Sequence, residues 1–175
     1  MMKKGLKWTG IILGGLLGLI IIAVLGLYIF APNPVTIRSK VEITASPEVV
    51  FDQFTTYDYW YELWDVVELT PPQEPINEGN TFQFVEPDGT VVDGVITQYE
   101  EGRVFAANLT MKGVDAVFSF SLTLTPTANG TQAVLYNEAK VSGAMKVMMA
   151  AYALSGELDA YYNMVINRLK TKVER

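Results

Sequence analysis

Residues Trp8 to Phe30, WTGIILGGLLGLIIIAVLGLYIF, run for 23 positions without a charge, and nothing else in the chain constrains its fold so strongly. At roughly 1.5 Å per residue, a helix over this run is about 34 Å long and crosses a hydrocarbon core of roughly 30 Å with some tilt. A cleaved secretory signal is the competing reading, since Lys3, Lys4 and Lys7 supply a basic start in either case. The run exceeds the usual signal core of about 7–15 residues, and its exit, LYIFAPNPV, lacks a small-x-small cleavage site, so a retained single-pass anchor is expected. Trp8 and Tyr28 stand where interfacial aromatic residues belong. The three lysines place the N-terminus in the cytoplasm and the rest of the chain outside the plasma membrane. Arg38 and Lys40, near the far end of the span, leave the reversed topology open. Gly10, Gly14 and Gly18 recur every four residues on one face, a spacing that fits a homodimer of closely packed membrane helices or merely lightens a lipid-facing one.

What remains is long enough for one compact domain. Pro32, Asn33 and Pro34 make a short, stiff exit from the membrane. The chain thus divides into residues 1–34, holding the basic tip, the membrane helix and the exit, and a domain over residues 35–175 kept close to the bilayer. Without Lys3, Lys4 and Lys7, ten of the 13 basic residues face all 19 acidic ones, a net charge of 10 − 19 = −9. An acidic domain repels phosphate backbones and anionic head groups, which argues against nucleic acid as a partner and against electrostatic docking on acidic lipid. The chain contains neither Cys nor His, which removes disulfides, thiol nucleophiles, histidine bases and the usual zinc sites. No loop carries the Asp, Asn and Gly spacing of a calcium hand, and no metal or cofactor is expected.

Alternation of apolar and polar residues predicts a first strand over Thr36 to Ala45. Ser46, Pro47 and Glu48 then carry the signature of a helix start, and Val50, Phe51 and Phe54 give that short helix an apolar face. A second turn or helix begins at once in TTYDYWYELW, and Pro71, Pro72 and Pro75 open a loop. Strands follow over Thr81 to Val85, Thr90 to Glu100, Arg103 to Met111, Ala116 to Pro126 and Thr131 to Ser142, joined by Pro87-Asp88-Gly89, Glu101-Gly102, Lys112-Gly113 and Asn129-Gly130 turns. In the fifth of these six strands Phe118, Phe120, Leu122 and Leu124 alternate with Ser and Thr, the pattern of a sheet buried on one face. The last segment reads as one long helix with Val147, Ala151, Leu154, Leu158, Tyr162, Val165 and Leu169 on a common face, weakened or kinked at Ser155-Gly156. The expected class is α+β: a curved antiparallel sheet gripping a long C-terminal helix.

The stretches VEITASPEVVFDQFTTYDYWYELW, GTVVDGVITQYEEGRVF, FSFSLTLTPTANGTQAVL and LDAYYNMVINRLKTKVE, in that order, closely resemble the SRPBCC superfamily, also called START-like or polyketide cyclase/dehydrase-like. The resemblance covers nearly all of residues 37–175. It implies the helix-grip fold and a deep cavity between sheet and C-terminal helix that takes apolar ligands. Many bacterial members carry one N-terminal membrane helix. No single activity is implied, because members include lipid carriers, receptors, cyclases and co-chaperones.

In such a fold the aromatic cluster after the first helix lies at the wide end of the sheet, so Tyr57, Trp60 and Trp64, with Tyr59 and Tyr61 beside them, are candidates for the cavity mouth. Plain core packing accounts for Trp60 and Trp64 about as well. Met145, Met148, Met149 and Tyr152 offer an adaptable lining from the last helix, and Phe118 and Phe120 one from the sheet. One register turns Asn137 inward with Leu135 and Val141, whereas a surface position is the alternative for Asn137, Asn108 and Asp93. The functions these residues allow are binding of a lipid or other hydrophobic small molecule, a cyclase- or hydrolase-like enzyme using a cavity carboxylate such as Asp93 or a tyrosine, and a tethered protein-interaction module. No catalytic residue is assigned, since no pair of titratable groups is brought together by spacing.

Overall fold

The computed structural model describes residues 2–30 and 32–175, with side chains from Ile12 onward. Its elements in chain order are helix α1 (Met2–Phe30), strand β1 (Val35–Ile43), helix α2 (Pro47–Thr55), a 3₁₀ turn (Tyr57–Tyr59) and helix α3 (Trp60–Leu63). Strands β2 (Glu68–Thr70), β3 (Thr81–Val85), β4 (Val91–Glu100), β5 (Val104–Met111), β6 (Ala116–Thr127) and β7 (Gly130–Val141) follow, and helices α4 (Gly143–Ser155) and α5 (Glu157–Val173) close the chain. All seven strands form one antiparallel sheet in the order β1-β7-β6-β5-β4-β3-β2. This is the α+β helix-grip fold, preceded by one apolar N-terminal helix.

The inward face follows the two-residue period of the strands. Val35, Ile37, Ser39 and Ile43 of β1, Val92 and Ile96 of β4, and Thr131, Ala133, Leu135, Asn137, Ala139 and Val141 of β7 are all buried. Against this face α2, α3 and α5 set Phe51, Phe54, Trp60, Leu63, Val165, Ile166 and Leu169 as the main core. Gly94 admits the Phe82 ring from the paired position on β3, where an added Cβ would overlap it. Gly94→Ala is therefore expected to lower stability by about 1–3 kcal/mol, the usual cost of overpacking. An unchanged urea midpoint would show that Phe82 has room to yield.

Two expectations are corrected. The short β2 strand, pairing Glu68, Leu69 and Thr70 with Val85, Phe84 and Gln83, has too few residues to show a period. The C-terminal segment is two helices, because Gly156 adopts φ 76° and ends α4 in the left-handed region that glycine enters without a Cβ penalty. That break resets the helical phase. Leu154 is 77% exposed and Ala151 is exposed, while Met149, Ala150 and, partly, Ala153 turn inward instead. The α5 half of the expected face, Val165 and Leu169 with the half-buried Leu158 and Tyr162, does pack inward.

Within α1 the stretch Ile12–Phe30 is long and apolar enough to cross a membrane, and none of it is buried in the fold. Gly14 and Gly18 have no atom within 4 Å of an added Cβ. Gly10, Trp8 and the three lysines lie outside the residues whose side chains are described.

Candidate functional site

Between the sheet and α4–α5 lies a cavity of about 250 Å³. The sheet contributes Ile37, Phe84, Val92, Leu109, Met111, Phe118, Phe120 and Asn137 to its wall. Trp60, Trp64 and Val66 close one end, Met145, Met148 and Met149 come from α4, and Leu158, Tyr161 and Tyr162 come from α5. The wall is mostly apolar, with Glu86, Asn137, Tyr161 and Tyr162 as its polar members. Unbranched thioethers repack at little cost, so the α4 wall can adapt to different apolar shapes.

Trp60 sits at the junction of cavity and core. It is 2% exposed, its indole Nε1 donates to the Phe54 carbonyl at 2.7 Å, and its ring meets Phe82 edge-on at 5.3 Å. Trp64 packs edge-on against Phe120 at 5.9 Å and Tyr162 at 6.3 Å. Its Nε1 is buried with no hydrogen-bond partner among the described residues. Asn137 stands opposite Phe120 on β6 and Ile37 on β1, and its side chain is 3% exposed at the cavity wall. The Asn137 carboxamide thus offers a polar contact at the wall of an apolar cavity, the arrangement that orients a bound molecule.

The titratable groups of the wall are Glu86, Tyr161 and Tyr162. Burial, reinforced by Asp88, raises the Glu86 carboxyl above its ordinary range. Burial and then Glu86 and Asp65 push the Tyr161 phenol up to about 12, and Tyr162 rises further through burial and its neighbour Tyr161. Both phenols are neutral donors at physiological pH. Since folded Glu86 holds its proton more tightly than the unfolded residue, its contribution to stability is present below the unfolded value of about 4.3 and lost as pH rises through the raised folded value. Glu86→Gln is expected to melt above the wild type at pH 7 and to converge with it in acid. A melting difference independent of pH would show that burial does not penalise the carboxylate.

Of the residues expected at a ligand site, Trp60, Trp64, Phe118, Phe120, Asn137, Met145 and Met149 lie together on this wall, as does Met148. Tyr57 and Tyr152 do not. Tyr57 packs edge-on against Trp60 at 5.1 Å, its buried hydroxyl has no hydrogen-bond partner among the described residues, and burial raises its phenol above the ordinary value. Tyr152 is 43% exposed, because the buried face of α4 is centred on Met149, Ala150 and Ala153. Asp93, weighed as an acid–base carboxylate, faces solvent and accepts a hydrogen bond from Gln83 at 2.7 Å. Asn108 is half-buried and accepts from Ser119 at 2.7 Å. Glu86, Leu109, Met111 and Tyr161 also line the wall, although no local sequence pattern marks them for it. Leu109 and Met111 alternate within a strand whose inward face is settled only by pairing with β4 and β6.

A family model described as polyketide cyclase / dehydrase and lipid transport matches residues 34–174. Comparison with curated proteins finds no significant match. The ZhuI aromatase/cyclase from Streptomyces sp. R1128 superposes with TM-score 0.63 at 13% identity, covering 81% of this chain and 94% of that one. A protein of unknown function from Staphylococcus aureus does so with TM-score 0.63 at 14% identity, covering 84% and 99%. The Aha1 dimer from Colwellia psychrerythraea gives TM-score 0.57 at 18% identity, covering 80% and 96%. At these identities the likeness speaks for the fold alone. Because the family model spans nearly the whole helix-grip domain, this chain belongs to the polyketide cyclase / dehydrase and lipid transport family.

Proposed function

We propose that this chain is a membrane-anchored domain that reversibly binds a lipid or other hydrophobic small molecule in the cavity between its sheet and α4–α5. The observation that carries the reading is an apolar enclosure of about 250 Å³, walled by Trp60, Trp64, Phe118, Phe120, Met145 and Met149, with Asn137 as a polar contact. That volume lies just below the usual range of about 300–1,000 Å³ for small-molecule sites, and suits one slender apolar segment. Removing such a segment from water contributes about 25 cal/mol per Å² before the costs of binding. The apolar, unburied helix Ile12–Phe30 supports an anchor, and the lysines before it favour a cytoplasmic N-terminus with residues 35–175 on the outer side of the plasma membrane. The Gly10, Gly14 and Gly18 face suits a homodimer within the bilayer.

The test is native mass spectrometry of the full-length chain released from nanodiscs, followed by organic extraction. A discrete lipid-sized adduct on the folded chain is the expected result. A clean apo mass after incubation with mixed lipid extract would overturn the reading.

A further inference from the structure

Helix α4 differs from every other surface helix of the domain. Between Lys140 and Glu157 the only charged residue is Lys146, in a chain whose net charge is −6. Met145 and Met149 face the cavity, while Met148 at its rim is 45% exposed, Tyr152 43% and Leu154 77%. A helix that is apolar on both sides is normally covered on both, yet nothing in the domain covers this outer face.

Two contacts fix where the face points. The side chain of Asn33 holds Val141 at both ends of its amide, with Nδ2 donating to the Val141 carbonyl at 3.0 Å and Oδ1 accepting from the Val141 amide at 3.4 Å. Asn33 stands three residues beyond the end of α1, and Val141 two residues before the start of α4. At no more than about 3.6 Å per residue, the three residues from α1 to Asn33 and the two from Val141 to α4 together span roughly 18 Å at most, so the start of α4 is tethered close to the end of α1. Lys146 then reaches back, its Nζ lying 5.4 Å from the ring centroid of Tyr28, inside the apolar helix. The first turns of α4 therefore lie at the depth of the last turn of α1, where tyrosine and lysine side chains partition to the boundary between acyl chains and head groups.

We propose that α4 is an interfacial helix docked on the bilayer that α1 crosses. Met148, Tyr152 and Leu154 lie along the broad exposed arc of the helix that meets the leaflet, and the buried arc through Met145 and Met149 forms the cavity wall through which an acyl chain exchanges. The occupant of the exposed face is the lipid surface itself, because the face adjoins the membrane-crossing helix and α4 is the one α-helix of an acidic domain that carries no acidic residue. The proposal rests on the hydrophobic-ligand reading only for the exchange route, and not for the docking.

The chain has no cysteine, so Leu154→Cys, Tyr152→Cys and, as a control on α2, Val49→Cys each take a single nitroxide label. In full-length protein reconstituted into phosphatidylcholine vesicles, labels at 152 and 154 are expected to be more accessible to oxygen than to a water-soluble nickel complex, at a depth of about 5–10 Å. The label at 49 is expected to show the reverse. Equal nickel accessibility at all three positions would overturn the docking. For the route, Leu154→Asp is expected to slow lipid uptake from vesicles about tenfold without changing the amount bound at equilibrium. Uptake at the wild-type rate would overturn the route. If the wild type takes up no lipid at all, the binding reading fails, and the label depths still decide the docking.

Discussion

Trp60→Ala is expected to cost the domain about 3–5 kcal/mol in urea unfolding, the range for removing a buried tryptophan. The indole is 2% exposed and packs against Phe54, Tyr57, Phe82 and Phe105 with centroid distances between 5.1 and 6.1 Å. Four aromatic neighbours anchored on α2, the 3₁₀ turn, β3 and β5 cannot collapse into the space together, so a void remains and its lining loses dispersion contacts. The Phe54 carbonyl also loses its donor at 2.7 Å, at a helix end that has no other described side-chain partner for it. Trp60→Phe keeps a ring in place and removes the N–H, and should cost less than half as much. A loss below about 1 kcal/mol for the alanine variant would show that the ring serves the cavity rather than the core.

Met149→Asp is expected to abolish ligand retention while leaving a folded domain, with affinity lowered at least about a hundredfold, or roughly 2.8 kcal/mol. Met149 is buried where α4 meets Val35, Ala116, Ala139 and Val141, and its thioether forms part of the cavity wall. A carboxylate there has neither water nor a cation to face, since the one basic residue of α4, Lys146, reaches toward Tyr28. Met149→Leu conserves volume and is expected to retain the ligand, which separates loss of the apolar wall from loss of packing. Adduct mass by native spectrometry reads both variants. An undiminished adduct on Met149→Asp would place the ligand elsewhere.

The elements themselves are written locally in this chain. Apolar alternation across Ala116 to Pro126 and the Asn129-Gly130 turn specify the β6–β7 hairpin, and Ser46-Pro47 marks the start of α2, because each of these signals depends on neighbours within a few residues. Even the inward turn of Asn137 follows once Phe120 is taken as inward, since antiparallel pairing sets the two opposite each other. The 23-residue uncharged run identifies the apolar N-terminal helix in the same way.

What local pattern could not decide is which side chains meet across the cavity. Tyr57 and Trp60 look alike as candidates, yet the turn from a 3₁₀ helix into α3 sends one against the other and only Trp60 to the wall. Glu86 reads as a loop-edge carboxylate and becomes a cavity group only because β3 brings it beside Tyr161 and Tyr162, which lie more than seventy residues away. The left-handed Gly156 rotates the face of α4 by a phase that no helical wheel contains, burying Met149 and exposing Leu154. Periodicity fixes which face of an element is apolar, whereas an enclosed volume is made by long-range packing of faces from six strands and three helices, and only the tertiary structure sets where they stop short of touching.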